Sequence, residues 1–234
     1  MAASGRPRDP AVPHPDATLK TARILIADDH GLLRRGLRAA LADSPHLVVE
    51  AEAEDGRTAV ELALRLKPDI AILDVSMPHL NGLDAARAIA AGSPETRVLV
   101  LTAHESEKLV REVLRAGARG YLLKSDAASE LIPAIEALLA DRSYFTSTVA
   151  QAVLEGYLKN DADEDPEAGG ALSPREREIV QLLAEGKSSK EIARLLSIAV
   201  NTADTHRGNI MRKMGFESIS DVVRYAIKNK MIDP

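Results

Sequence analysis

Five short apolar runs alternate with amphipathic segments over residues 23–142. Each run is rich in Leu, Ile and Val, which is typical of buried parallel strands. Between the runs, apolar residues recur at the three- and four-residue spacing of an amphipathic helix. Five such repeats predict an α/β fold, a doubly wound five-stranded parallel sheet with helices on both faces. The runs are RILIAD, LVVEAE, DIAILD, TRVLVLT and RGYLLK.

From residue 171 onward the apolar pattern is helical throughout. Ser173 and Ser188 each stand three residues before a Glu, the signature of a capping box at a helix start. Gly186 marks a tight turn after the first helix, and a longer third helix is predicted from about Asn201 to Met214. Short helices followed by a longer one are typical of a helix-turn-helix. We therefore predict a second, all-α domain of four helices over residues 171–234.

Two segments of the chain lack this periodicity. Residues 1–21 are rich in Pro, Ala and Asp, and we interpret them as a disordered leader. Residues 143–170 hold a short helical pattern and then an acidic run with many helix breakers, which is typical of a flexible linker. The predicted order is therefore a leader, an α/β domain over residues 22–142, a linker with a short helix, and the helical domain.

The composition narrows the class of protein. The 234 residues include no cysteine, which excludes disulfides and thiolate metal sites and suits a reducing cytoplasm. No apolar run approaches the roughly 18 residues of a membrane span, and no hydrophobic signal core is present, so we expect a cytoplasmic protein without a membrane partner. The net charge is −5, yet residues 171–234 carry 11 Lys/Arg and 8 Asp/Glu. The residues before 171 are therefore acidic and the residues from 171 onward mildly basic, and we expect the two parts to have different partners.

Polar side chains end four of the five predicted strands. Asp28 and Asp29 follow the first strand, Asp74 the third, Thr102 the fourth and Lys124 the fifth. Because the carboxyl ends of parallel strands share one edge of a sheet, we expect these side chains to converge. Three adjacent carboxylates repel one another unless a cation compensates them. Hard oxygen ligands favour Mg²⁺ over zinc, so the pattern predicts a magnesium site around Asp74.

Each of these residues also has a structural alternative. Asp74 alone could begin a turn or cap the next helix, and Asp28 and Asp29 could cap the first helix. Thr102 could cap the helix that starts near Ser106, and Lys124 could be solvated. We favour the interpretation as a functional site, because four different strands end in carboxylates, a hydroxyl or an ammonium at the same edge of the sheet.

On these residues, segment 22–142 resembles the receiver domain of two-component systems, which has a flavodoxin-like fold. The resemblance implies that Asp74 accepts a phosphoryl group from a kinase phosphohistidine and that the chain is not an enzyme, although it slowly loses that phosphate with Mg²⁺ present. Asp29, Asp74 and the backbone carbonyl of Ser76 would bind Mg²⁺ directly, and Asp28 through water. The residues that carry the resemblance are Asp28, Asp29, Asp74, Met77, Pro78, Thr102, Tyr121 and Lys124.

The same resemblance implies roles for the remaining residues. Lys124 would neutralise charge on the transferring phosphoryl group. Thr102 would hydrogen-bond the new phosphate and shift toward it, and Tyr121 would follow inward as a switch that changes the face of the fourth helix and fifth strand. Ser76 and His104 would flank the phosphate and tune its hydrolysis.

Residues 172–232 resemble the LuxR-type helix-turn-helix, which reads the major groove with its third helix and often pairs through its fourth. The resemblance is carried by Leu172–Glu178, Leu182–Gly186, Lys190–Ala193 and Thr205–Met214. Helical spacing predicts that Ala203, Ile210 and Met214 face the core, with His206 beside them. The residues predicted to face DNA are Lys190, Asn201, Thr202, Asp204, Thr205, Arg207, Gly208 and Lys213.

Three positions depart from the LuxR pattern. Ala199 replaces a usual Ser cap, a loss that costs about 1 kcal/mol. Ala203 replaces a usual Val and removes core volume. Asp204 replaces a frequent Lys, and its negative charge beside DNA phosphates is unfavourable, although it could accept a hydrogen bond from cytosine.

Together the resemblances imply a DNA-binding transcriptional response regulator of the NarL/FixJ type. Its partners would be a sensor histidine kinase, promoter DNA and a second copy of the chain, paired on phosphorylation or on DNA. Two alternatives stay open. A Mg²⁺ phosphohydrolase usually has a second Asp where this chain has Ser76, and the chain has no room for a cap domain. A protein-interaction regulator with weakened DNA binding is favoured by Ala199, Ala203 and Asp204.

Overall fold

The computed structural model describes residues 21–103, 106–145 and 172–233. His104, most of the predicted leader and most of the predicted linker therefore lie outside the described residues. The strands are β1 (Ala22–Ala27), β2 (Leu47–Ala53), β3 (Ile70–Asp74), β4 (Arg97–Thr102), β5 (Gly120–Leu123) and β6 (Tyr144–Phe145). The helices that alternate with them are α1 (Gly31–Ala42), α2 (Gly56–Leu66), α3 (Gly82–Gly92), α4 (Glu107–Arg115) and α5 (Ala127–Leu139).

These strands form one parallel sheet in the order β2-β1-β3-β4-β5-β6. The doubly wound α/β fold predicted from the sequence is confirmed, but the prediction of five strands was wrong. Tyr144 and Phe145, which we assigned to the linker, pair with Gly120 and Tyr121 of β5 as a sixth strand. A strand of two residues has no hydrophobic period of its own, so no sequence pattern marks it.

Two apolar layers cover the sheet, as its doubly wound topology requires. One layer packs α2, α3 and α4 on the face that includes Leu25, Leu73 and Val100. The other packs α1 and α5 on the face that includes Ile26 and Ile72. Since every residue of β3 is buried, its last residue, Asp74, lies at the end of the best-covered strand.

The helical domain consists, within the described residues, of α6 (Pro174–Ala184), α7 (Ser189–Leu195), α8 (Val200–Met214) and α9 (Ile219–Lys228). The capping boxes predicted at Ser173 and Ser188 are present, and both serine side chains accept backbone hydrogen bonds. Gly186 and Gly215 adopt left-handed backbone conformations after α6 and α8, which end those helices. No helix in the described part of the chain combines the length and apolarity needed to cross a membrane.

The two domains meet through polar contacts rather than through a shared core. The helical domain has its own apolar cluster, which includes Ile179, Leu182 and Ile210 and is separate from both clusters of the α/β domain. Helix α6 lies against the β3–α3 turn, residues 75–81, and the start of α3. An interface of this polar kind is typical of domains that separate and dock again.

Candidate functional site

The carboxyl ends of the strands bring three of the predicted site residues into direct contact. The ammonium of Lys124 lies 2.8 Å from Asp28 Oδ2 and 3.0 Å from Asp74 Oδ1. Asp28 is fully buried and Asp74 is 2% exposed. Asp74 does not cap the next helix, because Asn81 caps α3, and the Lys124 ammonium is paired rather than solvated.

Asp29 completes an acidic cluster with Asp28 and Asp74, and His30 joins it. The imidazole Nδ1 of His30 lies 2.8 Å from Asp29 Oδ1, and Asp28 Oδ1 accepts the backbone N–H of His30 at 2.7 Å. One ligand atom from each of these four residues lies within 4.8 Å of the others. Sequence reasoning missed His30, whose only signal was its place next to the two aspartates.

Thr102 and Tyr121 line the neighbouring strands and are both buried. Thr102 ends β4, is 3% exposed and accepts the backbone N–H of Lys124 on its carbonyl at 2.8 Å. Ser106, and not Thr102, caps α4. Tyr121 is fully buried beside Val100 in the layer under α2, α3 and α4. Thr102 therefore lies on the strand next to that of Asp74, and Tyr121 lies one strand farther along the sheet.

The β3–α3 turn folds back sharply onto the end of β3. Val75 accepts the backbone N–H of Gly82 at 2.8 Å, which closes the turn. A Cβ atom at Gly82 would lie 1.9 Å from the carbonyl oxygen of Asp74. Only glycine allows this approach, so the turn that carries Ser76 is fixed by close backbone packing.

Burial dominates the electrostatics of the cluster. Burial and the charge of Asp28 raise the pKa of Asp74 from 3.8 to about 6, and Lys124 only partly offsets this. Burial alone would lower the pKa of Lys124, but the hydrogen bonds and charges of Asp28 and Asp74 together raise it. The site therefore carries an excess of negative charge that favours a bound cation.

The acidic cluster fits a divalent cation that prefers oxygen ligands. Asp74 Oδ2 is buried and has no hydrogen-bond partner among the described residues. A buried carboxylate oxygen without a donor is costly unless a cation satisfies it. Carboxylates with one backbone carbonyl match the ligand preference of Mg²⁺.

The predicted DNA-facing residues lie on an open surface of the helical domain. The side chains of α8 predicted to face the core are placed as expected, since Ala203 and Ile210 are buried and Met214 packs against that core. The exposed residues of the opposite side are Lys190, Asn201, Thr202, Asp204, Thr205, Arg207, Gly208 and Lys213. Within the described residues, the α/β domain therefore leaves uncovered the side of α8 that is predicted to face DNA.

Two of these exposed residues have partners within the domain. The ammonium of Lys213 lies 2.8 Å from the carboxylate of Glu176, and the hydroxyl of Thr205 donates to the carbonyl of Asn201 at 2.8 Å. Ala199 begins α8 without a side-chain cap, as its departure from the LuxR pattern predicted. The Lys213 ammonium must leave Glu176 to pair fully with a DNA phosphate, whereas the Thr205 hydroxyl can still accept a hydrogen bond.

Known proteins match both parts of the chain. A family model of the response regulator receiver domain matches residues 24–136, and a model of bacterial regulatory proteins of the luxR family matches residues 170–226. The transcriptional regulatory protein MctR of Rhizobium johnstonii is 33% identical over 90% of this chain and 95% of its own length. The transcriptional regulatory protein DegU of Brevibacillus brevis is 36% identical over 88% of this chain and 93% of its own.

A solved structure covers both domains. The two-component response regulator RcsB in complex with DNA is 27% identical, has a TM-score of 0.54, and is matched over 88% of this chain and 98% of its own. Relatives of this kind regulate transcription and are not classical enzymes. The chain therefore belongs to the family of transcriptional response regulators that join a receiver domain to a LuxR-type DNA-binding domain.

Proposed function

We propose that the protein switches transcription through phosphoryl transfer to Asp74. The observation that carries this proposal is the state of the Asp74 carboxylate. It is buried, one oxygen is paired with Lys124, and the other has no donor among the described residues. A carboxylate held in this way is a positioned nucleophile. The Lys124 ammonium lies beside the carboxylate whose oxygen must attack the phosphorus.

The chemical step moves one phosphoryl group from a histidine to Asp74. An oxygen of Asp74 attacks the phosphorus of a phosphohistidine on a sensor kinase, a new P–O bond forms, and the P–N bond breaks with its electrons retained by the imidazole. Hydrolysis later breaks the P–O bond, which returns the carboxylate and releases inorganic phosphate. Lys124 stabilises negative charge on the phosphoryl oxygens during both steps.

Asp28, Asp29, Asp74 and the backbone carbonyl of Ser76 are the residues that would hold Mg²⁺. When bound, the cation supplies charge neutralisation for the acidic cluster and for the phosphoryl oxygens. Thr102, on the strand next to Asp74, would donate its hydroxyl to the phosphate. Tyr121 would follow it, which couples the site to the α4–β5 face.

Replacing Lys124 with Met is expected to slow phosphoryl transfer by about 10²- to 10³-fold, because a single donor that stabilises transition-state charge has about that effect. The initial rate of phosphate incorporation from acetyl phosphate with Mg²⁺ measures this. Lys228→Met is the matched control, since Lys228 is exposed on α9. Equal rates in the Lys124→Met variant and the control would show that Lys124 is only structural.

The helical domain would bind promoter DNA through α8, and binding is expected to strengthen when a second copy adds its own phosphate contacts. RcsB, the structural relative matched over both domains, was solved on DNA. The exposed side of α8 offers Arg207 to phosphates and Asn201 and Asp204 to base edges. We retain DNA binding over a purely protein-interaction role.

Removing a positive side chain from α8 is expected to weaken DNA binding, and removing a negative one is expected to strengthen it. Arg207→Ala should weaken binding about three- to tenfold across sequences and reduce the salt slope by about one. Asp204→Asn should strengthen non-specific binding about threefold, because a carboxylate beside phosphates is removed. Titration of labelled duplex DNA at several salt concentrations measures both. Arg65→Ala, an exposed change in the receiver domain, is the charge control, and a matching loss there would contradict the assignment of α8.

Two measurements test the proposed function: the position of the phosphate in the chain, and the DNA fragments that the phosphorylated protein selects. After reaction with acetyl phosphate and Mg²⁺, hydroxylamine-sensitive phosphate should map to the peptide that contains Asp74. Genomic fragments selected by the phosphorylated protein should share a sequence motif that the untreated protein selects less strongly. Phosphate on another residue would contradict the site, and selection without any motif would favour the protein-interaction alternative.

A further inference from the structure

The segment that follows Asp74 is held at several points by the helical domain. Five hydrogen bonds from this domain reach the β3–α3 turn, which begins one residue after Asp74. Ion pairs of Arg177 with Asp84 and of Glu178 with Arg57 also join the two domains. The hydrogen bonds involve both the backbone and the side chains of this turn. The turn residues are Ser76, Met77, His79 and Asn81, and their partners in the helical domain are Asp233, Gln181 and Glu185.

Gln181 of α6 bridges two points of the turn. Its amide Nε2 donates to the carbonyl of Met77 at 2.8 Å, and its Oε1 accepts the backbone N–H of Asn81 at 2.8 Å. The side chain is fully buried between the domains. A buried amide is stable only while both groups are paired, so this contact holds only when the turn keeps its present shape.

His79, between those two points, has a left-handed backbone conformation with φ of +66°. Its backbone N–H donates to Oε1 of Glu185 at 2.9 Å. Few non-glycine residues adopt this conformation without compensating contacts. The helical domain therefore stabilises a particular form of the turn.

Asp233 brings a negative charge to the edge of the phosphorylation site. The hydroxyl of Ser76 donates to Asp233 Oδ1 at 2.9 Å. Ser76 is two residues beyond Asp74, and two residues of chain span at most about 7 Å. A phosphoryl group adds about two negative charges at Asp74. The Asp233 carboxylate bonded to Ser76 would repel these charges, and repulsion between charges within about one Debye length is only partly screened.

We propose that Asp233 is a residue that controls phosphorylation of Asp74, because the docked helical domain holds its carboxylate against Ser76 and so opposes arrival of the phosphoryl group. Docking and phosphorylation then oppose each other, and by linkage each weakens the other by the same factor. The inference rests on the proposed phosphorylation of Asp74. In the docked form the described residues leave the predicted DNA-facing side of α8 exposed, so docking acts on the phosphorylation site rather than on that helix.

Rates of phosphorylation test the charge of Asp233. Asp233→Asn should raise the initial rate with acetyl phosphate and Mg²⁺ by about three- to tenfold. Asp233→Glu keeps the charge and should stay near the parent rate. Glu217→Gln removes an exposed carboxylate elsewhere in the same domain and should have no effect on this rate.

Docking is measured separately by energy transfer between two dyes. The chain has no cysteine, so dyes can be attached at Ala128→Cys on α5 and Asn209→Cys on α8, both exposed. Phosphorylation should lengthen the distance between the dyes. Gln181→Ala should lengthen it without phosphate and raise the phosphorylation rate, and Asp233→Asn should add nothing further in that background.

The outcomes separate this inference from the proposed function. If the Asp233→Asn variant is phosphorylated at the rate of the parent chain while the dyes stay at the docked distance, the role of Asp233 is overturned. A faster Gln181→Ala variant that remains docked overturns the link between docking and rate. Failure of every variant and of the parent chain to take up phosphate overturns the proposed function itself, whatever the docked distance.

Discussion

Replacing Asp74 with Asn is expected to abolish phosphate uptake from acetyl phosphate, because an amide lacks the nucleophilic carboxylate oxygen that forms the P–O bond. Radiolabel or intact-mass analysis with Mg²⁺ present measures the loss. Residual hydroxylamine-sensitive phosphate in the variant would place the acceptor elsewhere.

The same substitution is expected to stabilise the protein when metal is removed, which distinguishes loss of the nucleophile from misfolding. The pKa of Asp74 is raised from 3.8 to about 6 in the folded state. Between those values the folded state binds more protons than the unfolded state, so stability falls as the pH rises and the full cost is present above about pH 6. The difference corresponds to at most about 3 kcal/mol.

Urea unfolding with EDTA checks this expectation at two pH values. At pH 8 the Asp74→Asn variant should be more stable than the parent by about 1–3 kcal/mol, since part of the gain is offset when Lys124 loses a charged partner. Near pH 4 the difference should be much smaller. A variant that is less stable at pH 8 would show that the buried carboxylate is fully compensated without metal.

Replacing Gly82 with Ala is expected to destabilise the receiver domain by about 2–4 kcal/mol. The new Cβ would lie 1.9 Å from the carbonyl oxygen of Asp74 and 2.8 Å from its carbonyl carbon, so backbone atoms must move. Because those atoms belong to the phosphoacceptor itself, the rate of phosphorylation should fall as well. Urea unfolding and acetyl phosphate kinetics measure the two effects.

Gly36→Ala is the matched control for the change at Gly82. Gly36 lies inside α1, and nothing is within 4 Å of the position its Cβ would take. Alanine there should raise the free energy of unfolding by about 0.5–1 kcal/mol, since it is the better helix former. Equal effects at the two glycines would show that the turn yields to the added methyl group.

The fold and the centre of the site were predictable from the sequence, because both follow from short-range patterns. Apolar runs predict strands, and parallel strands place their carboxyl ends at one edge whatever the details of packing. That is why Asp74 and Lys124, far apart in the chain, could be placed together without coordinates. In α8, helical spacing predicted the burial of Ala203 and Ile210 for the same reason.

The features that were missed depend on contacts between distant segments. Strand β6 exists because Tyr144 and Phe145 meet the free edge of β5, and two residues carry no period. The pairing of Lys213 with Glu176 joins two helices whose relative placement no local pattern gives. The burial of Gln181, which reads as an ordinary polar position of α6, arises only when the domains dock.

The separate apolar cores of the two domains have a consequence for how such a chain changes over generations. Substitutions inside one core are not felt by the other, so either domain can drift or be exchanged as a unit. Asn81 and Gln181 depend on each other across the interface, because the backbone N–H and the side-chain amide of Asn81 both donate to Oε1 of Gln181. A change at one leaves a buried polar group of the other unpaired. We therefore expect substitutions at these two positions to occur together.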